Sequence, residues 1–453
     1  SVSRGLGDVY KRQIMMKGKF KAGVHPYEGK EYSGDKEIKR LSSEEIMVFP
    51  MSQHIGAPAT PCVKVGDRVL KGMKIGQASS FVSSPVYSSV SGKVKAIEDR
   101  LMLSGKVSKC VIVTNDFENE SVENFGINRD VNTLSNEEII KIIGDSGIVG
   151  MGGAGFPTGV KLSPKNQNID YIIINGSECE PYLTSDYRLM LERSRDIIEG
   201  IAIVLRLFEK AKAIIGIEDN KPKAIDALSF ECNGNSRINV MSLSTRYPQG
   251  GERRLISSVT GRQINSHILP ADAGVIVLNI ATVIAIYEAV KMNMPLIHRV
   301  VTLTGDAMAQ PANVDVLLGI SHKFLCDECG GLKDNAVKII SGGPMMGMAM
   351  DSLDYPVVKT SSSILAISKD DVEKMETTSC IRCGRCVGVC PETLVPQLMA
   401  QAAVNKDYER FEKLYGMECI ECGCCTYVCP AKRPLTQTFK LAKIKVRESK
   451  IAK

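Results

Sequence analysis

Near its C-terminal end the chain reads Cys380-Ile381-Arg382-Cys383-Gly384-Arg385-Cys386-Val387-Gly388-Val389-Cys390-Pro391. The same spacing returns in Cys419-Ile420-Glu421-Cys422-Gly423-Cys424-Cys425-Thr426-Tyr427-Val428-Cys429-Pro430. In this C-x2-C-x2-C-x3-C-P spacing, a tight loop supplies three thiolates to the irons of a [4Fe–4S] cluster and the proline then turns the chain away. The two runs therefore predict a helical, ferredoxin-like C-terminal domain that carries two [4Fe–4S] clusters.

The spacing also predicts which cysteines share a cluster. In two-cluster ferredoxins the fourth cysteine of each run binds the other cluster. One cluster is thus expected on Cys380, Cys383, Cys386 and Cys429, and the other on Cys419, Cys422, Cys425 and Cys390. Zinc is the alternative, but it favours paired C-x2-C sites with four ligands, whereas both runs here are complete and end in Cys-Pro. We expect the side chain of the additional Cys424 to point away from the cluster.

Composition narrows the class of protein further. The chain has 453 residues with 15 cysteines, a net charge of +6, 5% aromatic residues and no Trp, which argues against binding of nucleic acid. The bunched cysteines fit a reducing compartment better than a disulfide framework. The longest apolar run, from Gly274 to Val290, is short for a membrane span and carries Asn279 and Glu288. It predicts a buried element, so any membrane role would depend on partner subunits.

A glycine-rich loop is the second strong signal. It reads Gly150-Met151-Gly152-Gly153-Ala154-Gly155-Phe156-Pro157-Thr158-Gly159-Val160-Lys161. Glycines let the backbone approach a ligand closely, and the amides of such a loop suit a phosphate. A plain turn explains an isolated glycine-rich loop equally well.

The complete string resembles the FMN-binding loop of the 51-kDa flavoprotein of respiratory NADH dehydrogenase. Asn175-Gly176-Ser177-Glu178-Cys179-Glu180-Pro181 is similar to that family's Asn-Ala-Asp-Glu-Ser-Glu-Pro segment, with Ser177 in place of the Asp. Tyr247-Pro248-Gln249-Gly250-Gly251-Glu252 and Leu278-Asn279-Ile280-Ala281-Thr282 resemble two further ligand-side segments. The resemblance places Glu180 near the nicotinamide as the catalytic residue. It implies that the organic cofactors, FMN and NAD(H), are bound by Gly150, Gly152, Gly153, Gly155, Lys161, Asn175, Glu178, Gly250, Gly251, Glu252, Asn279 and Thr282.

The order of the segments resembles a closer family, the C subunits of the Rnf complex, which is the ion-translocating ferredoxin:NAD⁺ oxidoreductase. Gly23-Val24-His25-Pro26, a strand-rich N-terminal region and the C-terminal cysteine runs carry this resemblance from about residue 17 onward. It implies an NADH-linked iron–sulfur flavoprotein that passes electrons between [4Fe–4S] clusters, FMN and NAD(H). It also implies a peripheral position on the cytoplasmic face of the membrane, beside the membrane subunits of the Rnf complex, with ferredoxin reached through another member of the complex.

The predicted fold is a multidomain α/β protein. We expect a biotinyl/lipoyl-like β-barrel (barrel-sandwich domain) at 15–115, an α/β flavin domain at 116–300 and a soluble-ligand-binding β-grasp-like module at 301–367. The dicluster domain follows at 368–435 and begins with a charged connector, Lys369 to Glu376, that is expected to be helical; a basic tail follows at 436–453. The barrel turn Ser89-Val90-Ser91 has no lysine of the kind that carriers present, which favours a structural module. Residues 1–14 precede Met15-Met16-Lys17 and are expected to be a non-native leader.

Three other functions compete with this one. The 51-kDa flavoprotein itself has one cluster motif and no N-terminal barrel. A cobalamin-reductase-type protein shares the flavin and dicluster parts but places the barrel elsewhere. A non-enzymatic dicluster relay or scaffold would have a degenerate flavin site, whereas the glycine loop is nearly complete. A separate C-x2-C at Cys326 and Cys329 matches no family pattern and is expected to be two buried or incidental thiols.

Overall fold

The computed structural model describes residues 14–18, 22–166, 168–370 and 375–451. The expected leader at 1–14 lies outside these residues except for Ile14. The β-strands, numbered along the chain, are β1 Ile14–Gly18, β2 Ile38–Arg40, β3 Ile46–Pro50, β4 Thr60–Pro61, β5 Arg68–Val69, β6 Lys74–Gln77, β7 Val86–Tyr87, β8 Gly92–Leu101, β9 Val107–Asn115, β10 Tyr171–Gly176, β11 Lys212–Glu218, β12 Ile238–Leu243, β13 Val275–Asn279, β14 His298–Thr304, β15 Ala312–Leu317, β16 Lys338–Ser341, β17 Met348–Ala349 and β18 Ser363–Ile367. The α-helices are α1 Asn136–Asp145, α2 Thr158–Lys161, α3 Ser185–Glu192, α4 Ser194–Leu207, α5 Pro222–Glu231, α6 Glu252–Thr260, α7 Ile280–Met292, α8 His322–Glu328, α9 Arg385–Gly388, α10 Pro396–Val404, α11 Tyr408–Lys413, α12 Cys424–Tyr427 and α13 Leu435–Ile451.

The N-terminal barrel consists of two small sheets. A four-stranded sheet has the order β3-β9-β8-β5, and a three-stranded sheet has the order β4-β6-β7. Alternate residues of these strands, such as Met47, Phe49 and Val111, are fully buried between the sheets. The turn at Ser89 is buried too, and its hydroxyl donates a hydrogen bond to the carbonyl oxygen of Leu318 at 2.6 Å. The turn is therefore a packing contact with the β-grasp module, as a structural barrel requires.

The central α/β domain contains a parallel five-stranded sheet in the order β1-β12-β11-β10-β13. Its inner strands are continuous apolar runs because helices cover both faces. The apolar run from Gly274 to Val290 forms β13 and α7, which are largely buried. Glu288 is tolerated there because Arg193 and His298 pair with it at 2.6 and 3.1 Å. No helix of the described residues is long and apolar enough to cross a bilayer.

The β-grasp-like module is a mixed six-stranded sheet in the order β17-β16-β18-β14-β15-β2. Its edge strand β2 comes from the N-terminal segment and pairs with β15, while β1 pairs with β12 of the central sheet. The first part of the predicted barrel at 15–115 therefore lies in two other domains. Each strand covers a sheet edge that would otherwise expose unpaired backbone groups.

The C-terminal domain is helical and has its own core. Helix α13 spans 17 residues and buries Phe439, Ala442 and Val446 against α10 and Phe411. The segment predicted as a separate basic tail at 436–453 is thus, through 451, a helix that closes the cluster domain, because apolar residues recur on one face. The predicted helical connector lies partly outside the described residues, at 371–374, and the residues on either side of that gap are not helical.

Candidate functional site

A cavity of about 860 Å³, here called the central cavity, lies where the domains meet. Its walls include the glycine loop at 151–154, the segment after β10, the loop at 247–251, and Asn279 at the end of β13. The β-grasp module contributes Arg299 and Ser341 to Gly343, and the cluster domain contributes Ile420 and Cys422. The carboxyl ends of parallel strands are the usual place for a ligand in an open α/β sheet.

The glycine loop is held tightly against the start of α7. The amide of Gly150 donates to the carbonyl of Phe156 at 2.9 Å, and the amide of Met151 donates to Thr282 Oγ1 at 3.0 Å. A Cβ on Gly152 would lie 2.9 Å from Asn279 Nδ2, whereas a Cβ on Gly153 would meet nothing within 4 Å. Gly152 thus allows the close approach of Asn279, and Gly153 leaves open space for a ligand.

Gly155 and Lys161 support the loop from outside the central cavity. Gly155 has a φ of +71°, and a Cβ there would lie 2.8 Å from Thr360 Cγ2, so only glycine fits without strain. Lys161 Nζ donates to the carbonyl of Val277 at 3.0 Å and to Glu252 Oε1 at 3.2 Å. Lys161 and Glu252 therefore face each other, which the sequence did not reveal, and neither is part of the cavity wall.

Asn175 joins the segment after β10 to the loop at 247–251. Its Nδ2 donates to the carbonyl of Gly250 at 2.9 Å, and the amide of Gly250 donates to Cys179 Sγ at 3.3 Å. Gly250 and its neighbour Gly251 both line the central cavity. The sequence-predicted residues of these two segments are thus brought together.

Glu178 and Glu180 carry two partly buried carboxyl groups with different partners. Glu178 accepts hydrogen bonds from the amides of Asp186 at 2.7 Å and Tyr187 at 3.3 Å, at the start of α3. Glu180 Oε1 accepts from the amides of Met345 at 2.7 Å and Met346 at 3.1 Å, in the β-grasp module. Burial raises the pKa of both carboxyl groups above the usual range. Both side chains border the central cavity.

Lys30 is a site residue that sequence reasoning missed. Its Nζ donates to the carbonyl oxygens of Glu178, Glu180 and Leu183 at 2.9, 3.2 and 2.6 Å, and lies 3.9 Å from Glu178 Oε2. This N-terminal lysine thereby holds both ends of the segment that carries the two carboxyl groups. Its only signal in the sequence is its place shortly after Gly23-Val24-His25-Pro26.

The eight cysteines of the two runs form two groups. The outer cluster site is a cavity lined by Cys380, Cys383, Cys386 and Cys429, and the inner cluster site is a cavity lined by Cys390, Cys419, Cys422 and Cys425. In each site the fourth cysteine comes from the other run, which is the grouping that the spacing predicts. Four thiols around a largely apolar cavity form a donor set that fits a [4Fe–4S] cluster. Cys424 also borders the inner site, but its thiol lies 3.9 Å from the carbonyl oxygen of Tyr247.

The inner cluster site adjoins the central cavity. Ile420 and Cys422 line both of them. Tyr247, which lines the central cavity, donates its hydroxyl to the carbonyl of Cys422 at 2.8 Å. The outer site lies at the surface, where Cys380 and Cys383 are exposed.

Two other cysteines line neither the central cavity nor a cluster site. Cys326 and Cys329 are both buried in the β-grasp module, at 1% and 5% exposure. Burial raises the pKa of both thiols, which suits a packing role.

Comparison with known families gives four matches along the chain. They are the RnfC barrel sandwich hybrid domain at 18–118, the Nuo51 FMN-binding domain at 143–288, the SLBB domain at 300–349 and the 4Fe-4S dicluster domain at 373–437. Their order confirms the predicted multidomain fold. They also support FMN and [4Fe–4S] clusters as the cofactors.

Whole-chain relatives agree with these matches. The chain is 45% identical over 382 residues to the C subunit of the proton-translocating ferredoxin:NAD(+) oxidoreductase complex of Clostridium ljungdahlii, covering 84% of this chain and 83% of that protein. It is 42% identical over 430 residues to the C subunit of the Na(+)-translocating ferredoxin:NAD(+) oxidoreductase complex of Acetobacterium woodii, covering 94% and 96%. It is 39% identical over 399 residues to the C subunit of the ion-translocating oxidoreductase complex of Vibrio cholerae, covering 87% of this chain and 51% of that protein. The chain therefore belongs to the family of C subunits of the Rnf ferredoxin:NAD⁺ oxidoreductase complexes, and is an electron-transfer oxidoreductase component with FMN and [4Fe–4S] clusters.

Proposed function

We propose that electrons move between NAD(H) and FMN in the central cavity, then through the inner cluster site to the outer cluster site. Bound FMN supplies the conversion between two-electron hydride transfer and the one-electron steps of the clusters. This order of electron transfer rests on one observation: the central cavity and the inner cluster site share a wall, which includes Ile420 and Cys422. The exposed outer site is then the point of exchange with partner subunits.

The residues of the central cavity bind and orient the two organic molecules. Gly152, Gly153 and Asn279 supply close backbone approach and polar groups for FMN. Glu180 is proposed to lie at the nicotinamide. It is partly buried and held by two backbone amides, so its carboxyl group is already positioned before the dinucleotide binds.

The exposure of the outer site supports a peripheral place in the complex. Cys380 and Cys383 are exposed, and Ile381 between them is 66% exposed. We place this surface against the membrane subunits of the Rnf complex, on the cytoplasmic face. Ferredoxin would be reached through another member of the complex.

Anaerobic addition of NADH to the protein reconstituted with iron, sulfide and FMN tests the proposal. Flavin absorbance and low-temperature electron paramagnetic resonance are followed together in the wild type and in Cys422→Ser and Cys383→Ser variants. We expect NADH to bleach the flavin in all three, and the inner-cluster signal to survive in Cys383→Ser. Cys62→Ser, which changes an exposed barrel cysteine, is the control.

Two results would contradict the proposal. A flavin that NADH does not bleach in the wild type would refute the assignment of NAD(H) to the central cavity. Reduction of the outer cluster by NADH in Cys422→Ser would show that the inner site is not on the path. A bleached flavin with silent clusters would instead show that both cluster potentials lie too low for NADH as the donor, as electron flow from the ferredoxin side toward NAD⁺ requires.

A further inference from the structure

Arg299 is a buried cation in the wall of the central cavity for which the described residues provide no close counter-ion. It belongs to β14 of the β-grasp module and is 6% exposed. One guanidinium nitrogen donates to the carbonyl of Lys359, while its buried Nε has no hydrogen-bond partner in the described structure. None of the ion pairs among the described residues includes Arg299.

Asp186, the acid whose charge acts on the guanidinium of Arg299, already accepts a hydrogen bond from another residue. Its carboxylate accepts a hydrogen bond from Asn279 Nδ2 at 2.7 Å, and burial raises the pKa of this carboxyl group. Asp186 favours the charged guanidinium from a distance, but burial outweighs it and lowers the pKa of Arg299 to about 10. Burial of a guanidinium group without a counter-ion is unfavourable, so the site favours binding of an anion.

The surroundings of Arg299 suit a phosphate in particular. Asn279, the partner of Asp186, is the N-cap of α7, a helix of 13 residues whose free amides and positive dipole end favour anions. The adjoining Gly152 allows close backbone approach, and Gly152, Asn279 and Arg299 border the same cavity. A guanidinium group can donate two parallel hydrogen bonds to a phosphate, which a lysine cannot do.

We propose that Arg299 binds the phosphate group of FMN, so that the β-grasp module completes the flavin site of the central domain. The inference rests on the proposed function, in which FMN occupies the central cavity. The pyrophosphate of NAD(H) has the same chemistry. Arg299 is linked through Asp186 to Asn279, and the glycine loop meets the start of α7 at Asn279. This position favours the phosphate of FMN over the pyrophosphate of NAD(H) as the ligand of Arg299.

The test compares FMN with riboflavin, which lacks the phosphate. Dissociation constants are measured by quenching of flavin fluorescence on the apoprotein of wild type, Arg299→Gln and Arg299→Lys. Loss of a charge-assisted hydrogen-bond pair predicts about 10- to 100-fold weaker binding of FMN in Arg299→Gln. Riboflavin affinity should stay within about twofold, since its ligand groups are untouched. Arg195→Gln, on the exposed side of α4, is the control.

Each remaining result has a definite meaning. Equal weakening of FMN and riboflavin, or unchanged FMN affinity, would overturn the assignment. Weaker binding of ADP-ribose to the FMN-loaded protein, with FMN affinity unchanged, would assign Arg299 to the dinucleotide and equally overturn it. Should Arg299→Gln not fold, Arg299→Lys carries the test, with a reduced FMN-to-riboflavin preference expected. A wild type that binds no FMN would overturn the proposed function itself. If NADH bleaches the flavin of the wild type but Arg299→Gln binds FMN as tightly as the wild type does, only this inference is overturned.

Discussion

Replacement of Lys30 by Met tests whether the N-terminal segment holds the two carboxyl groups of the central cavity. The Met side chain keeps most of the volume and removes the ammonium group. Three buried carbonyl oxygens, those of Glu178, Glu180 and Leu183, lose a donor at 2.6 to 3.2 Å. Glu178 also loses its cation at 3.9 Å.

The size of the effect follows from these contacts. A hydrogen bond to a charged group contributes about 1.5–3 kcal/mol, and the contributions of bonds that share one ammonium group do not add fully. Removal of one partner from a buried ion pair costs about 3–5 kcal/mol. We therefore expect Lys30→Met to lower the free energy of unfolding by about 3–5 kcal/mol.

The loss should grow as the pH rises. Burial raises the pKa of Glu178 above its unfolded value, and Lys30 partly opposes this shift. Between the two pKa values the native state binds more protons than the unfolded state, so stability falls as the pH rises through that interval. Without Lys30 the folded-state pKa rises further, which extends the interval upward. The difference between variant and wild type should be larger at pH 8 than at pH 6.

Urea denaturation at pH 6 and pH 8 measures this difference, with FMN affinity as a second readout. Lys223→Met, on the exposed surface of α5, is the matched control and should be neutral. A loss below about 1 kcal/mol would mean that water or a backbone shift replaces the ammonium group. An equal loss at both pH values would refute the ion-pair part of the reasoning.

Three further changes can be checked in the same preparations. Cys429→Ser should remove iron and the spin signal from the outer cluster site and leave the inner site intact; loss at the inner site instead would refute the pairing. His298→Gln should cost about 3 kcal/mol in thermal denaturation, because it leaves the buried Glu288 without one of its two cations. Its partners raise the pKa of His298 to about 10, so this stabilisation is complete below pH 6.5 and is lost as the pH rises toward 10, a slope that the variant should lack. Gly343→Ala puts a Cβ 2.1 Å from Glu180 Cγ, so the carboxyl group must move; the KM for NADH should rise at least about tenfold, with FMN affinity unchanged as the check on folding.

Much of the site could be predicted because its signals are local in the chain. A [4Fe–4S] loop needs thiolates at short, fixed separations, so the two cysteine runs and even the exchange of Cys390 and Cys429 follow from spacing. The glycine loop could be predicted for a similar reason, since only glycine permits both the φ of Gly155 and the close approach of Asn279 to Gly152. The burial of the apolar run from Gly274 to Val290 was also evident from its composition, although its division into a strand and a helix was not.

Only the tertiary structure decided which distant residues complete the site. Lys30 reaches carbonyls that follow it by about 150 residues, and Arg299 enters the central cavity from another domain. No periodicity in the sequence indicates such residues. Lys30 contacts backbone atoms and Arg299 lines a cavity, and both surroundings exist only after the domains pack. The pairing of the short strand β2 with β15 could not be predicted for the same reason, because an edge strand pairs with a sheet that exists only in the folded protein. The spacing of cysteines along the chain thus determined the two [4Fe–4S] clusters of this protein, and packing between domains decided which charged side chains surround the central cavity.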